Sequence, residues 1–210
     1  MIDKKIIMSE SISYVEKFGI DVRNDPFPWF ILSILFGARI SESIAVRTFY
    51  LLKSENLISP EEIIKRGWDD IVYILDFGGY TRYDFKTATK LINVSRNVIQ
   101  RGGFKNIMEK YENTESLVKE LKSLSKGIGD ITIGIFMREI VDIWKNAKPI
   151  PSNYVKIAME NLNLKTDDYK KIGVKYSYYE YFLHKIGKKC LKKLCRSCPV
   201  NEFCKNKQNV

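Results

Sequence analysis

Apolar residues recur at spacings of three and four along most of this chain, the mark of helices with one buried face. "PWFILSILFGA" reads as a buried helix beginning after Asp25-Pro26. "SESIAVRTFYLLKSEN" follows, with Ser41 placed to cap it. "SPEEIIKRG" carries a capping box: Ser59, a proline at the first helical position, Glu62 three residues on, and Gly67 as the stop. "WDDIVYILDFGG" and "DFKTATKLINVSRNVIQRGG" each end in a glycine pair, a common helix terminator. "TESLVKELKSL", a Gly-Ile-Gly turn and "DITIGIFMREIVDIWKNA" come next. "SNYVKIAMENLN" starts after Pro149 and Pro151, and "KYSYYEYFLHKIGKKC" leads into a run of cysteines. No alternating strand, low-complexity segment or internal repeat interrupts the pattern. The expected class is all-α, with its clearest boundary at Lys145 to Pro151.

Composition narrows this picture. The chain has 210 residues and is 45% hydrophobic, enough for a real core in one domain or two small lobes. No apolar run reaches the roughly 18 residues of a membrane span, and the N-terminus turns acidic too soon for a signal peptide. The expectation is a soluble cytoplasmic protein, nucleoid-associated if prokaryotic, with no membrane partner. The net charge of +10 favours polyanions. Eight basic residues and one acidic residue (Glu202) lie between Lys185 and Val210.

That basic tail also holds all four cysteines: Cys190, Cys195, Cys198 and Cys204, spaced C-x4-C-x2-C-x5-C. Thiols packed this closely in a chain read as intracellular point to a metal rather than to disulfides. Zinc usually takes two C-x2-C pairs, and one is present. A single run of four thiolates better suits a [4Fe–4S] cluster, with zinc as the alternative. Both remain open on spacing. Lys193 and Arg196, among other cations here, suit a loop that also meets phosphates.

"LSKGIGDIT", Leu124 to Thr132, reads as helix, tight turn, helix. Gly127 and Gly129 let backbone N–H groups converge, and the second helix points its N-terminus at the same place. With Lys126 beside them, they form a candidate nest for a phosphate.

The turn and the cysteine loop together resemble the helix-hairpin-helix DNA glycosylases of the endonuclease III type. Their hairpin signature, L-P-G-(V/I)-G-x-(K)-T-A, is similar to "LSKGIGDITI", and their C-x6-C-x2-C-x5-C cluster loop is two residues longer in its first gap than "CLKKLCRSCPVNEFC". "WFILSILFGARISESIAVRTF" and "GGYTRYDFKTATKLI" also look like elements of that family, so the likeness spans about Trp29 to Cys204. The resemblance implies a two-lobed fold: a six-helix barrel over residues 28–145, and a second lobe of residues 1–27 and 146–210 carrying a [4Fe–4S] cluster. It implies a monomer that kinks double-stranded DNA, damaged or distorted, and flips out a target base.

The resemblance also says where the chemistry should stand. The lysine nucleophile of bifunctional members falls on Ile131, so lyase chemistry through it is not expected. The catalytic aspartate falls on Ser152 or, one register on, Asn153; neither carries charge. Glu139 and Asp142, on the helical face marked by Ile131, Ile135 and Arg138, are candidate replacements. Arg39, beside Ala38 at the family's plug position, is a candidate to enter the duplex, and Tyr80 and Arg82 of "GGYTRYDF" are candidates for stacking and phosphate contact. His184 reads as a packed residue on an aromatic helix. Three functions stay open: a monofunctional or unconventional glycosylase of base-excision repair, an inactive relative that binds distorted DNA, or an RNA-binding or redox-sensing module using the cluster.

Overall fold

The computed structural model describes residues 2–206, and they contain helices and no strand. Lys207 of the basic tail lies outside the described residues. The order is α1 (Lys4–Glu10), α2 (Tyr14–Phe18), α3 (Phe27–Phe36), α4 (Glu42–Ser54), α5 (Pro60–Arg66), α6 (Trp68–Phe77), α7 (Asp84–Gln100), α8 (Phe104–Lys110), α9 (Thr114–Ser123), α10 (Asp130–Ile140), α11 (Asn153–Leu162), α12 (Asp168–Ile172) and α13 (Tyr176–Leu191). Two short 3₁₀ turns, Cys195–Ser197 and Asn201–Phe203, follow.

Local chemistry accounts for many of these boundaries. Ser41, Ser59 and Ser152 each accept a hydrogen bond from the N–H three residues on, at 3.3, 3.3 and 3.4 Å. Gly19 and Gly173 close α2 and α12 in the left-handed region, and Asn163 does the same for α11.

Two hydrophobic cores divide the molecule. The first is built around α3, which is apolar all round and buried at every position from Phe27 to Leu35. Phe30 meets Phe104 and Phe136 at ring-centroid distances of 5.0 and 5.1 Å, and the Trp29 indole N–H donates to the Phe136 carbonyl at 2.9 Å. Burying each such ring contributes about 1.5–3 kcal/mol. The second core packs α1, α11, α12 and α13 together. Here α11 and α13 nearly touch: a Cβ added at Gly187 would lie 1.9 Å from the Tyr154 carbonyl oxygen.

The buried residues of the N-terminal segment fall in both cores. Ile2 and Ile7 belong to the second core, whereas Tyr14, Phe18 and Val22 belong to the first, where Phe18 packs on Phe49 at 4.8 Å. The helix expected over "DITIGIFMREIVDIWKNA" ends at Ile140. Beyond it, Asp142 accepts the Tyr176 backbone N–H at 2.7 Å and the Trp144 indole donates to the Val22 carbonyl at 3.1 Å. These tertiary bonds tie residues 142–144 to other segments.

Candidate nucleic-acid interface

The turn between α9 and α10 is formed as its glycines suggested. Gly127 takes φ 90°, where a side chain is strained, and the Ile128 N–H donates to the Ser125 carbonyl at 3.2 Å. Gly129 caps α10 with an ordinary extended backbone, no side-chain cap bond, and open space where a Cβ would stand. Glycine at 129 is thus required by nothing in the chain's own packing; it leaves the first amides of α10 uncovered. Lys126 and both glycines are exposed. The only acid of the first turn, Asp130, is paired with Lys122 at 2.6 Å, which offsets its repulsion of an anion.

Behind this turn, a cleft runs between the two halves as adjoining cavities of 310 and 350 Å³. Ile131, Ile135 and Arg138 of α10, with Tyr154 of α11 and His184 of α13, line both. Arg39 is exposed and borders the smaller cavity together with Ala38, Glu42 and Lys188. Ser152 borders the larger one, where its hydroxyl caps α11 and stands 3.5 Å from His184 Nδ1. Ile131, at the lysine position of the resemblance, is exposed on the cleft wall.

The candidate acids did not reach this cleft. Glu139 is buried against the N-terminal segment and accepts the Ser13 hydroxyl at 2.9 Å; burial raises its pKa. Asp142 lies past the end of α10 and binds the start of α13 through Tyr176. Glu139 lies on an edge of α10 turned toward the N-terminal segment, and Asp142 is held beyond that helix. Three other carboxylates line the cleft: Glu42, Asp130 and Glu180. Asp130 is paired with Lys122, and Glu180 with Arg138 in a buried ion pair. Glu42 accepts hydroxyls from Tyr14 and from Tyr181, the latter at 2.8 Å, and has no cationic partner among the described residues.

His184 packs against Tyr154 and is also a wall of both cavities. Burial, helped by the charges of Arg138 and Lys188, brings its pKa down to about 3, so the ring is neutral at ordinary pH. A neutral imidazole offers one donor and one acceptor nitrogen. Tyr154 meets it edge-on at 5.0 Å, with Lys188 5.9 Å over the other ring. A lone histidine in a sequence gives no sign of this; its placement depends on α11 and α13 crossing at Gly187.

Tyr80 is not a stacking residue. It is fully buried, and its hydroxyl donates to the Leu35 carbonyl at 2.6 Å, locking the loop before α7 onto α3. Arg82 remains exposed, with its guanidinium 5.6 Å over the Tyr83 ring.

The cysteine loop starts as α13 ends. Lys193 takes φ 53°, and the Lys193 and Leu194 amides donate back to Cys190 and Lys189, both at 3.0 Å. Val200 is fully buried in the second core, and the Lys205 N–H donates to the Asn161 carbonyl at 2.8 Å. Cys190, Cys198 and Cys204 pack against that core, and all four thiols are free. The segment carries four thiols, the donor type that zinc or an iron–sulfur cluster takes. Among the described residues, no three His, Cys, Asp or Glu side chains stand in a group ready to hold a metal ion. Lys193 and Arg196 are exposed on this loop.

No protein-family model matches the chain, and no curated protein is significantly similar to it. No described helix is long and apolar enough to cross a membrane.

Proposed function

We propose that this chain is a DNA-binding protein of base-excision-repair type, built on the helix-hairpin-helix glycosylase plan. In this reading it holds distorted duplex across the cleft and takes an extruded base between its two halves. The observation that carries it is the placing of a divided cavity, walled by neutral His184 and by Tyr154, directly behind a helix start with uncovered amides. The turn would hold a phosphate, Arg39 and Lys188 would meet the strand at the cleft edge, and the base would lie among Ile131, Ile135 and Tyr154. The four cysteines would hold a [4Fe–4S] cluster or a zinc ion, which would tie the loop carrying Lys193 and Arg196 to the second core.

Binding to duplexes carrying an abasic site, a mismatch or no defect tests this. Defective duplexes should bind at least about tenfold tighter, with affinity falling steeply with salt. Arg39→Ala and Lys188→Ala should each weaken binding. Equal affinity for all three duplexes would overturn the reading.

Glu42 favours a second reading, hydrolytic base removal. It is the cleft carboxylate with no cationic partner, so its charge would be available to a sugar carbon becoming positive. Water would add to that carbon as the base departs; residue 131 is isoleucine, so the family's lysine would not be available to form a Schiff base. Base release from a panel of lesion duplexes, revealed by alkali cleavage, tests this. Release abolished in Glu42→Gln supports it, and release unaffected by that change excludes Glu42.

A further inference from the structure

A further cavity, of 680 Å³, opens on the other side of the turn. Phe85, Lys86 and Lys90 of α7 form one wall, and Ser125, Lys126 and Gly127 the other. Three lysines and no carboxylate line it, and none of the three forms a salt bridge among the described residues. Lys90 is half-buried, and burial lowers its pKa with no anion to restore it. Lys90 lies directly against the turn: a Cβ at Gly127 would stand 3.3 Å from its Cε and 3.6 Å from its ammonium. A cation held beneath a turn without a partner is costly unless an anion completes it.

An aromatic residue stands on the same wall. Phe85 is 60% exposed and lies against Trp68 at 5.5 Å between centroids. The Trp68 indole donates to Thr89 at 2.9 Å, which fixes the pair on α7. Clustered lysines beside an exposed aromatic face match an unpaired nucleic-acid strand: phosphates on the cations, a base on the ring.

We propose that α7 and the turn form a strand-binding site in which Lys86, Lys90 and Lys126 hold backbone phosphate and Phe85 stacks on an unpaired base of the DNA. The proposal rests on the DNA-binding reading above and adds a preference for unpaired nucleotides beyond the cleft. It predicts that the full chain binds a gapped duplex more tightly than a fully paired one, and that the gap quenches Trp68 fluorescence.

The test is a salt-titrated comparison of those two duplexes with the full chain and three variants, each checked for fold by circular dichroism. Lys90→Met should lower the salt slope by about one phosphate contact, and Lys90→Arg should restore it. Phe85→Ala, at an exposed position, should erase the gap preference, a loss of at least about fivefold. If the native chain binds DNA but both substitutions leave slope and preference unchanged, the α7 site is wrong and the cleft reading stands. If the native chain binds neither duplex, both readings fall.

Discussion

Arg138 and Glu180 form a buried ion pair that joins α10 to α13 across the seam between the two cores, with side chains only 7% and 3% exposed. Both border the larger cavity, so the pair is at once a wall of the cleft and a tie between the halves. Arg138 also lies 5.6 Å over the Tyr181 ring. Desolvation opposes such a pair, and its worth is geometric: it fixes where α13 sits against α10.

Removing one partner should therefore cost far more than removing both. Glu180→Gln leaves a buried, uncompensated guanidinium and should destabilise the chain by about 3–5 kcal/mol. Arg138→Met combined with Glu180→Leu should recover most of that loss. Urea unfolding of the three proteins measures it; an equal cost for single and double variants would mean that the pair is not coupled.

His184 should make the protein less stable as pH falls. Its folded pKa, about 3, lies below the unfolded 6.5, so the unfolded chain binds the extra proton between those values. Stability contributed by the neutral ring is complete above pH 6.5 and is lost on descent toward 3. Glu139 acts with the opposite sign: its raised pKa makes stability fall as pH rises above the unfolded 4.5. In a Glu139→Gln background, unfolding followed from pH 7 to pH 5 should include the histidine slope, and His184→Gln should remove that part of it.

Gly187 is a third test, of the α11–α13 crossing. Any Cβ there meets the Tyr154 backbone, which is not a flexible side chain that can move aside. Gly187→Ala should cost about 3 kcal/mol and displace Tyr154 from His184. Chemical unfolding and tyrosine-to-histidine contacts in NMR spectra would report the two effects.

The thiol loop should depend on metal. Its two 3₁₀ turns contain no fully buried side chain, and Val200 between them is its one fully buried anchor. Protein purified without oxygen should be brown with broad visible absorption if it carries iron and sulfide, and colourless if it carries zinc. Removing the metal, or making Cys198→Ser, should expose the loop to proteolysis near Leu194 while the first core stays folded.

Most long helices were legible from periodicity, as with α4 after its Ser41 cap, and the short α5 from its Ser59 cap and Gly67 stop. Short helices such as α8 and α12, two turns or fewer, present too few residues for a periodic face to stand out. Tyr80 misled because a tyrosine after two glycines looks exposed, and only the packing of α3 under that loop buries it. Asp142 was placed on an ideal helix that stops at Ile140, and Glu139, inside that helix, meets the buried N-terminal segment instead of the cleft. His184, Glu42 and Lys90 became visible only when distant helices met, since no spacing in the sequence links residue 90 to residue 127.

The turn itself separates stability from binding. Gly127 is held at φ 90°, so Gly127→Ala should cost about 1–2 kcal/mol in strain and weaken binding with it. Gly129 is different, because its backbone is ordinary and its surroundings are open. Gly129→Ser places a good capping hydroxyl on the uncovered α10 amides and should raise stability by a few tenths of a kcal/mol or more. The same hydroxyl competes with a phosphate for those amides, so DNA affinity should fall severalfold while the melting temperature rises. Parallel thermal unfolding and binding measurements on the two variants decide the matter. A Gly129→Ser protein that is more stable and binds DNA as well as the native chain would show that no phosphate sits at the start of α10.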